Sequence, residues 1–123
     1  MSSYKDLDIY KLAFRLCLKV HELSLNLPRF ELYEQGSQVR RSSKSIKDQI
    51  AEGYGRRMYK SDFIKFLIYA QASNDECLNQ IETINALYTD ISGWKELISE
   101  YEMLGKKINK FIQYVENNWK SPK

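Results

Sequence analysis

Glycine and proline are scarce in this chain of 123 residues, with five Gly and two Pro, one of them Pro122 in the tail. So few leave too little material for the many tight turns of an all-β domain, and the composition points to helices. Cysteine is as thin. Cys17 and Cys77 are far apart and each falls on an apolar helical face, which reads as two reduced core thiols rather than a disulfide or a ligand pair. The longest unbroken apolar run, Phe66 to Ala70, is far short of the roughly 20 residues a membrane-spanning helix needs. The opening Met1-Ser2-Ser3-Tyr4-Lys5-Asp6 has an early acid and no apolar stretch leading to a cleavage site. Together these absences predict a cytoplasmic protein with no membrane association.

What is present suits one packed domain over residues 1–123. The 43% of hydrophobic residues can build a core and the 28% of charged ones can hydrate its surface. A second core would have to come from fewer than about 70 residues on either side. Leu7, Tyr10, Phe14, Cys17, His21 and Leu25 advance by three or four residues and share one helical stripe, which predicts a first helix over 8–25 with these residues inward. Pro28 biases Leu27 away from helical geometry, so 26–36 is expected to connect. Val39, Ser43, Ile46, Ile50 and Tyr54 predict a second helix over 37–53, stopped by Gly53 and Gly55 as caps with positive φ. Phe63, Phe66, Leu67, Ala70, Asn74, Cys77, Ile81, Ile84 and Tyr88 predict a third over 61–89, and Trp94, Leu97, Tyr101, Leu104, Ile108, Ile112, Val115 and Trp119 a fourth over 93–119. The economical arrangement is all-α, an antiparallel up-down-up-down four-helix bundle.

Two helices carry more apolar surface than one bundle requires. Ile9, Leu12, Leu16, Val20, Leu23 and Leu27 form a second seam on the first helix, and Ile64 and Ile68 stand well off the Phe63 direction on the third. These residues read as an oligomer interface, or else as the wide stripe of a helix central to its own bundle.

Chemistry is hard to place. His21 is the one histidine, no Cys/His or carboxylate cluster has ligand spacing, and no nucleophile has an obvious activator. His21 on an apolar stripe reads as a core residue rather than a ligand or base. Gly53-Tyr54-Gly55 follows a helix and lacks the remaining parts of a phosphate loop. The expectation is a protein that is not an enzyme, with no metal, no cofactor and no small-molecule substrate.

Charge is more informative. Residues 36–65 carry eight basic side chains (Arg40, Arg41, Lys44, Lys47, Arg56, Arg57, Lys60, Lys65) against three acids (Asp48, Glu52, Asp62), while the whole chain is only +3. Arg40, Lys44 and Lys47 share one ridge, and Arg56 and Arg57 extend it past the helix end beside Tyr54 and Tyr59. Arg40, Lys44, Arg56 and Arg57 are therefore candidate contacts to RNA or DNA, with Tyr54 and Tyr59 as stacking surfaces; a merely solvated basic face is the alternative. Glu52 is too far along the helix to pair with Arg41, and is expected to accept from a neighbouring helix, a cap amide or an arginine such as Arg56.

The run Gln38-Val39-Arg40-Arg41, Ser45-Ile46 in mid-helix and Ile50-Ala51-Glu52-Gly53 at its end, followed by Phe63, Phe66-Leu67, Ala70 to Ser73 and Glu76, resembles the four-helix bundle family of 23S rRNA intervening-sequence proteins. Lys47 and Gln49 stand where that family often has proline and asparagine. The resemblance implies a small cytoplasmic bacterial protein that assembles into a ring-like homopentamer and has no known reaction. It also implies a possible link to nucleic acid, since distant relatives serve retroelement reverse transcriptases through a basic ring. The functional expectation is a non-enzymatic oligomeric bundle that binds RNA or DNA through 36–65, the rival being a protein–protein adaptor or scaffold whose basic groups only solubilise it.

Overall fold

The structure, a computed structural model, describes residues 3–120; Met1, Ser2 and Pro122 lie outside them. A 3-10 turn, Tyr4–Asp6, is capped by Ser3, whose hydroxyl accepts from the Lys5 amide. Five α-helices follow: α1 Asp8–Ser24, α2 Arg29–Leu32, α3 Gln35–Gly55, α4 Lys60–Leu87 and α5 Trp94–Asn118. Four are long and match the expected helices to within two residues at each end, and no strand occurs among the described residues. Each long helix packs against two others, α3 against α1 and α4, and α5 against α4 and α1. Ile46, Ile50, Phe63, Leu67, Ile81, Trp94, Tyr101 and Leu104 lie fully buried between them. Each such side chain contributes roughly 1.5–3 kcal/mol relative to exposure.

The inward face of α1 is not the expected one. Ile9, Ala13, Leu16 and Val20 are buried in the chain's own core, and Leu12 and Leu23 pack along its edge. These side chains of the expected oligomer interface are thus occupied within the monomer. Of the stripe expected inside, Leu7 and Cys17 are buried, whereas Phe14, His21 and Leu25 are exposed. The physical reason lies in composition. The Ile9–Val20 seam is aliphatic, with small Ala13 and Ser24 allowing close approach, whereas turning the other stripe inward would bury the His21 imidazole at a desolvation cost. On α4, Ile64 packs against the core and Ile68 remains 51% exposed.

The 26–34 connection contains one turn of helix that hydrophobic periodicity does not reveal. The Pro28 carbonyl accepts from the amides of Glu31 and Leu32, so the proline that ends one helix starts the next. Two side-chain contacts pin this turn. The Tyr88 hydroxyl donates to buried Glu31 at 2.8 Å, and Arg40 donates to the Leu32 carbonyl at 2.8 Å.

Neither Gly53 nor Gly55 has the positive φ expected of a cap; that conformation belongs to Gly93, φ 109°, at the start of α5. Any Cβ on Gly93 would also lie 2.8 Å from the Leu23 side chain. Gly53 is helical and serves a different need, because a Cβ there would stand 3.0 Å from Phe66 Cβ where α3 crosses α4. At that end of the bundle Phe63 meets Tyr54, Phe111 and Trp119 edge-on, and Trp119 Nε1 donates to the Arg57 carbonyl.

Candidate functional site

The basic segment 36–65 spans α3, its C-terminal turn and the start of α4. Five of its cations are held by the fold. Arg40 is half-buried and donates from Nη1 to Ser24 Oγ and from Nη2 to the Leu32 carbonyl, both at 2.8 Å, while Ser24 Oγ donates onward to the His21 carbonyl. The guanidinium thereby satisfies groups that the ends of α1 and α2 leave open. Lys47 donates to Asp48 at 2.8 Å, a bond that holds its ammonium above the ordinary lysine range. Arg56 pairs with Glu52 at 3.3 Å and Asp62 at 3.6 Å and covers the Phe66 ring at 4.7 Å. Arg57 donates to the Tyr54 carbonyl and stacks on the Tyr54 ring at 4.1 Å, and Lys60 donates to the Glu116 carbonyl.

The candidate nucleic-acid residues therefore divide. Arg40 spends two donors on Ser24 and the Leu32 carbonyl, and Arg56 and Arg57 spend donors on their own helix ends. Tyr54 is only 4% exposed and its ring packs on Phe63, so it is no platform for a base. Its burial follows from its place on the α3 core stripe. Lys44 and Tyr59 are exposed, the latter at 66%. Arg41 is exposed as well, and among the described residues neither it nor Lys44 forms an ion pair. Glu52 does find Arg56, which ties off the end of α3.

A polar layer crosses the core beneath this segment. Ser42 donates to Gln80 at 2.6 Å, Ser45 and Ser73 bond at 2.9 Å, and Asn74 Nδ2 donates to the Tyr101 carbonyl at 3.1 Å. Burial pushes the Cys77 thiol up to about 12, partly offset by the neighbouring Ser42 and Tyr101 side chains, and burial likewise raises the Tyr101 phenol. Both groups stay protonated at neutral pH, and thiol and phenol are poor nucleophiles in that form. Among the described residues no three His, Cys, Asp or Glu side chains gather to hold a metal, and no helix is long and apolar enough to cross a membrane.

Helical periodicity missed one surface. Phe14, Leu18 and Leu25 are 42%, 57% and 58% exposed on α1, in line with half-buried Tyr10 and with His21. Tyr10, Phe14, His21 and Leu25 lie on the stripe expected inside, and Leu18 lies on neither apolar seam of α1.

The model of the 23S rRNA-intervening sequence protein family matches residues 5–110. The chain belongs to that family. No curated protein matches it closely enough to count as a relative. For an intervening-sequence protein the matched span takes in α1 to α4 and most of α5, while the Ser3 cap, Tyr4 and the contacts of Phe111, Glu116 and Trp119 lie outside it.

Proposed function

We propose that this intervening-sequence protein is a non-enzymatic scaffold that assembles from copies of itself and presents exposed cations to nucleic acid. The observation that carries the assembly is the uncovered apolar stripe of Phe14, Leu18 and Leu25 along α1. A ring of five in a bacterial cytoplasm is the form that the family likeness favours. The four long helices then run antiparallel, up-down-up-down. Bonds whose numbering runs in opposite senses support that course: Ser24–Arg40 with Cys17–Ser43, Ser42–Gln80 with Ser45–Ser73, and Asn74–Tyr101 with Lys60–Glu116.

Nucleic-acid binding rests on a narrower set than the segment's composition suggests. Arg41 and Lys44 are its main contacts, Arg56 and Arg57 its secondary ones, and Tyr59 its one stacking ring. Repetition around an assembly lets weak phosphate contacts add, giving sequence-tolerant, salt-sensitive binding. Filter binding of RNA and of DNA at two salt concentrations tests this. Retention that falls steeply with salt, and that Arg41→Glu with Lys44→Glu weakens for both polymers, supports it. No retention at low salt with the assembly intact favours a protein–protein adaptor, to which the same apolar stripe would suit.

A further inference from the structure

Outside the basic segment, a cleft of about 370 Å³ opens between α4 and α5. Gln71, Asn74, Asp75 and Leu78 line it from α4, at the i, i+3, i+4 and i+7 spacing that places them on one helical face. From α5 come Glu102, Gly105 and Lys106. Asn74 is 1% exposed, and its Nδ2 donates to the Tyr101 carbonyl at 3.1 Å. That bond fixes the orientation of the amide, because the reverse would set oxygen against oxygen. Oδ1 is then left buried without a donor, and Gln71 Oε1 is buried without one as well. Buried acceptors in native proteins are nearly always paired, so two in one cleft favour a ligand that brings N–H groups.

The charge at the mouth of the cleft has the matching sign. Asp75 and Glu102 are exposed, and Lys106 is the one cation among the lining residues. None of the three forms an ion pair among the described residues. Gly105 lets the cleft run down to the amide, since a Cβ there would stand 3.0 Å from Asn74 Nδ2.

We infer that this cleft binds a small organic cation of the alkyl diamine class. A primary ammonium carries three N–H donors on one atom, so a single group can serve the Asn74 and Gln71 oxygens together. The alkyl chain then lies along Leu78, and the second ammonium meets the Asp75 and Glu102 carboxylates at the mouth. A divalent metal suits the cleft less well, because it needs about six converging oxygens and gains nothing from the Leu78 wall. The site uses neither Arg41 nor Lys44, so it stands whether or not the chain assembles or holds nucleic acid.

Isothermal titration calorimetry of the full chain with 1,4-diaminobutane tests this, with tetramethylammonium and calcium chloride as parallel titrants. The diamine should give a saturable heat, while tetramethylammonium, which has the charge but no N–H donor, should give none. Asp75→Asn with Glu102→Gln changes two exposed side chains, so circular dichroism should show the helices intact while binding weakens at least about tenfold. Lys106→Ala removes the competing cation and should tighten binding, and Gly105→Ala crowds the Asn74 amide and should weaken it. If the double variant loses its helices, these two single variants carry the test. No saturable heat from the diamine, saturation by calcium in its place, equal binding of tetramethylammonium, or folded variants that all bind as the wild type does would each overturn the proposal.

Discussion

On α1, Leu16 and Leu18 are two residues apart, chemically identical and on opposite sides of the molecule: one is fully buried in the core and the other is 57% exposed. Arg40 and Lys44 make a parallel pair on α3. They share a ridge, yet Arg40 is bound to Ser24 and the Leu32 carbonyl while Lys44 is in solvent. In both pairs residue type and helical spacing leave the roles open, and the neighbouring elements decide them. The core takes the α1 seam that carries no titratable group, and the α1–α2 corner takes the cation that can reach its open carbonyl. What is left over, an apolar stripe and a few free cations, is the surface available for function.

The sharpest way to break this contrast is at Leu16. Leu16→Ala should cost about 2–5 kcal/mol of unfolding free energy, read by urea denaturation, whereas Leu18→Ala should stay within about 0.5 kcal/mol in the dissociated chain. Equal effects would mean the two stripes are not divided as described. The basic pair gives the next largest difference. Arg40→Ala removes two hydrogen bonds from a charged donor and should cost about 1.5–3 kcal/mol, while Lys44→Ala should leave stability nearly unchanged and weaken RNA retention.

Alkaline titration sharpens the account of the buried polar layer. The Cys77 thiol ionises near 9.0 when free and near 12 in the fold. Below pH 9 both states hold the proton and this group adds no pH dependence. Above it the unfolded chain releases the proton first, so stability falls as pH rises from 9 toward 12. At pH 10 that loss is on the order of 1 kcal/mol, and Cys77→Ala should make the alkaline decline shallower. The smallest effect belongs to Glu52, whose pair with Arg56 is about half exposed. Glu52→Gln should change stability by less than about 0.5 kcal/mol.

Most of the fold was legible because it depends on the 3.6-residue period. The four long helices follow from their apolar stripes, and Pro28 and the 92–93 break mark two of their boundaries. The short helix α2 was not legible, since four residues hold no period and its contacts are to distant Tyr88 and Arg40. Periodicity also shows which residues share a face without showing which of two apolar faces turns inward. For α1 that choice depended on Ala13 and Ser24 allowing close approach and on His21 staying wet. The candidate site was legible as a basic segment but not as individual contacts. Whether Arg40, Arg57 or Lys60 is free depends on carbonyls at Leu32, Tyr54 and Glu116 that folding brings near. Tyr54 and Tyr59 differ for a related reason: the first lies on the α3 core stripe, and the second lies just past the helix end.

In the proposed assembly the exposed stripe of α1 holds copies together while the buried stripe holds the chain together. Sedimentation velocity on Leu18→Glu beside the wild type, with circular dichroism on both, tests it most directly. The expected result is a multimeric wild type and a Leu18→Glu variant that keeps its helices but sediments as one 14.6 kDa chain. A variant that retains the wild-type mass, or one that loses its helices, would contradict it.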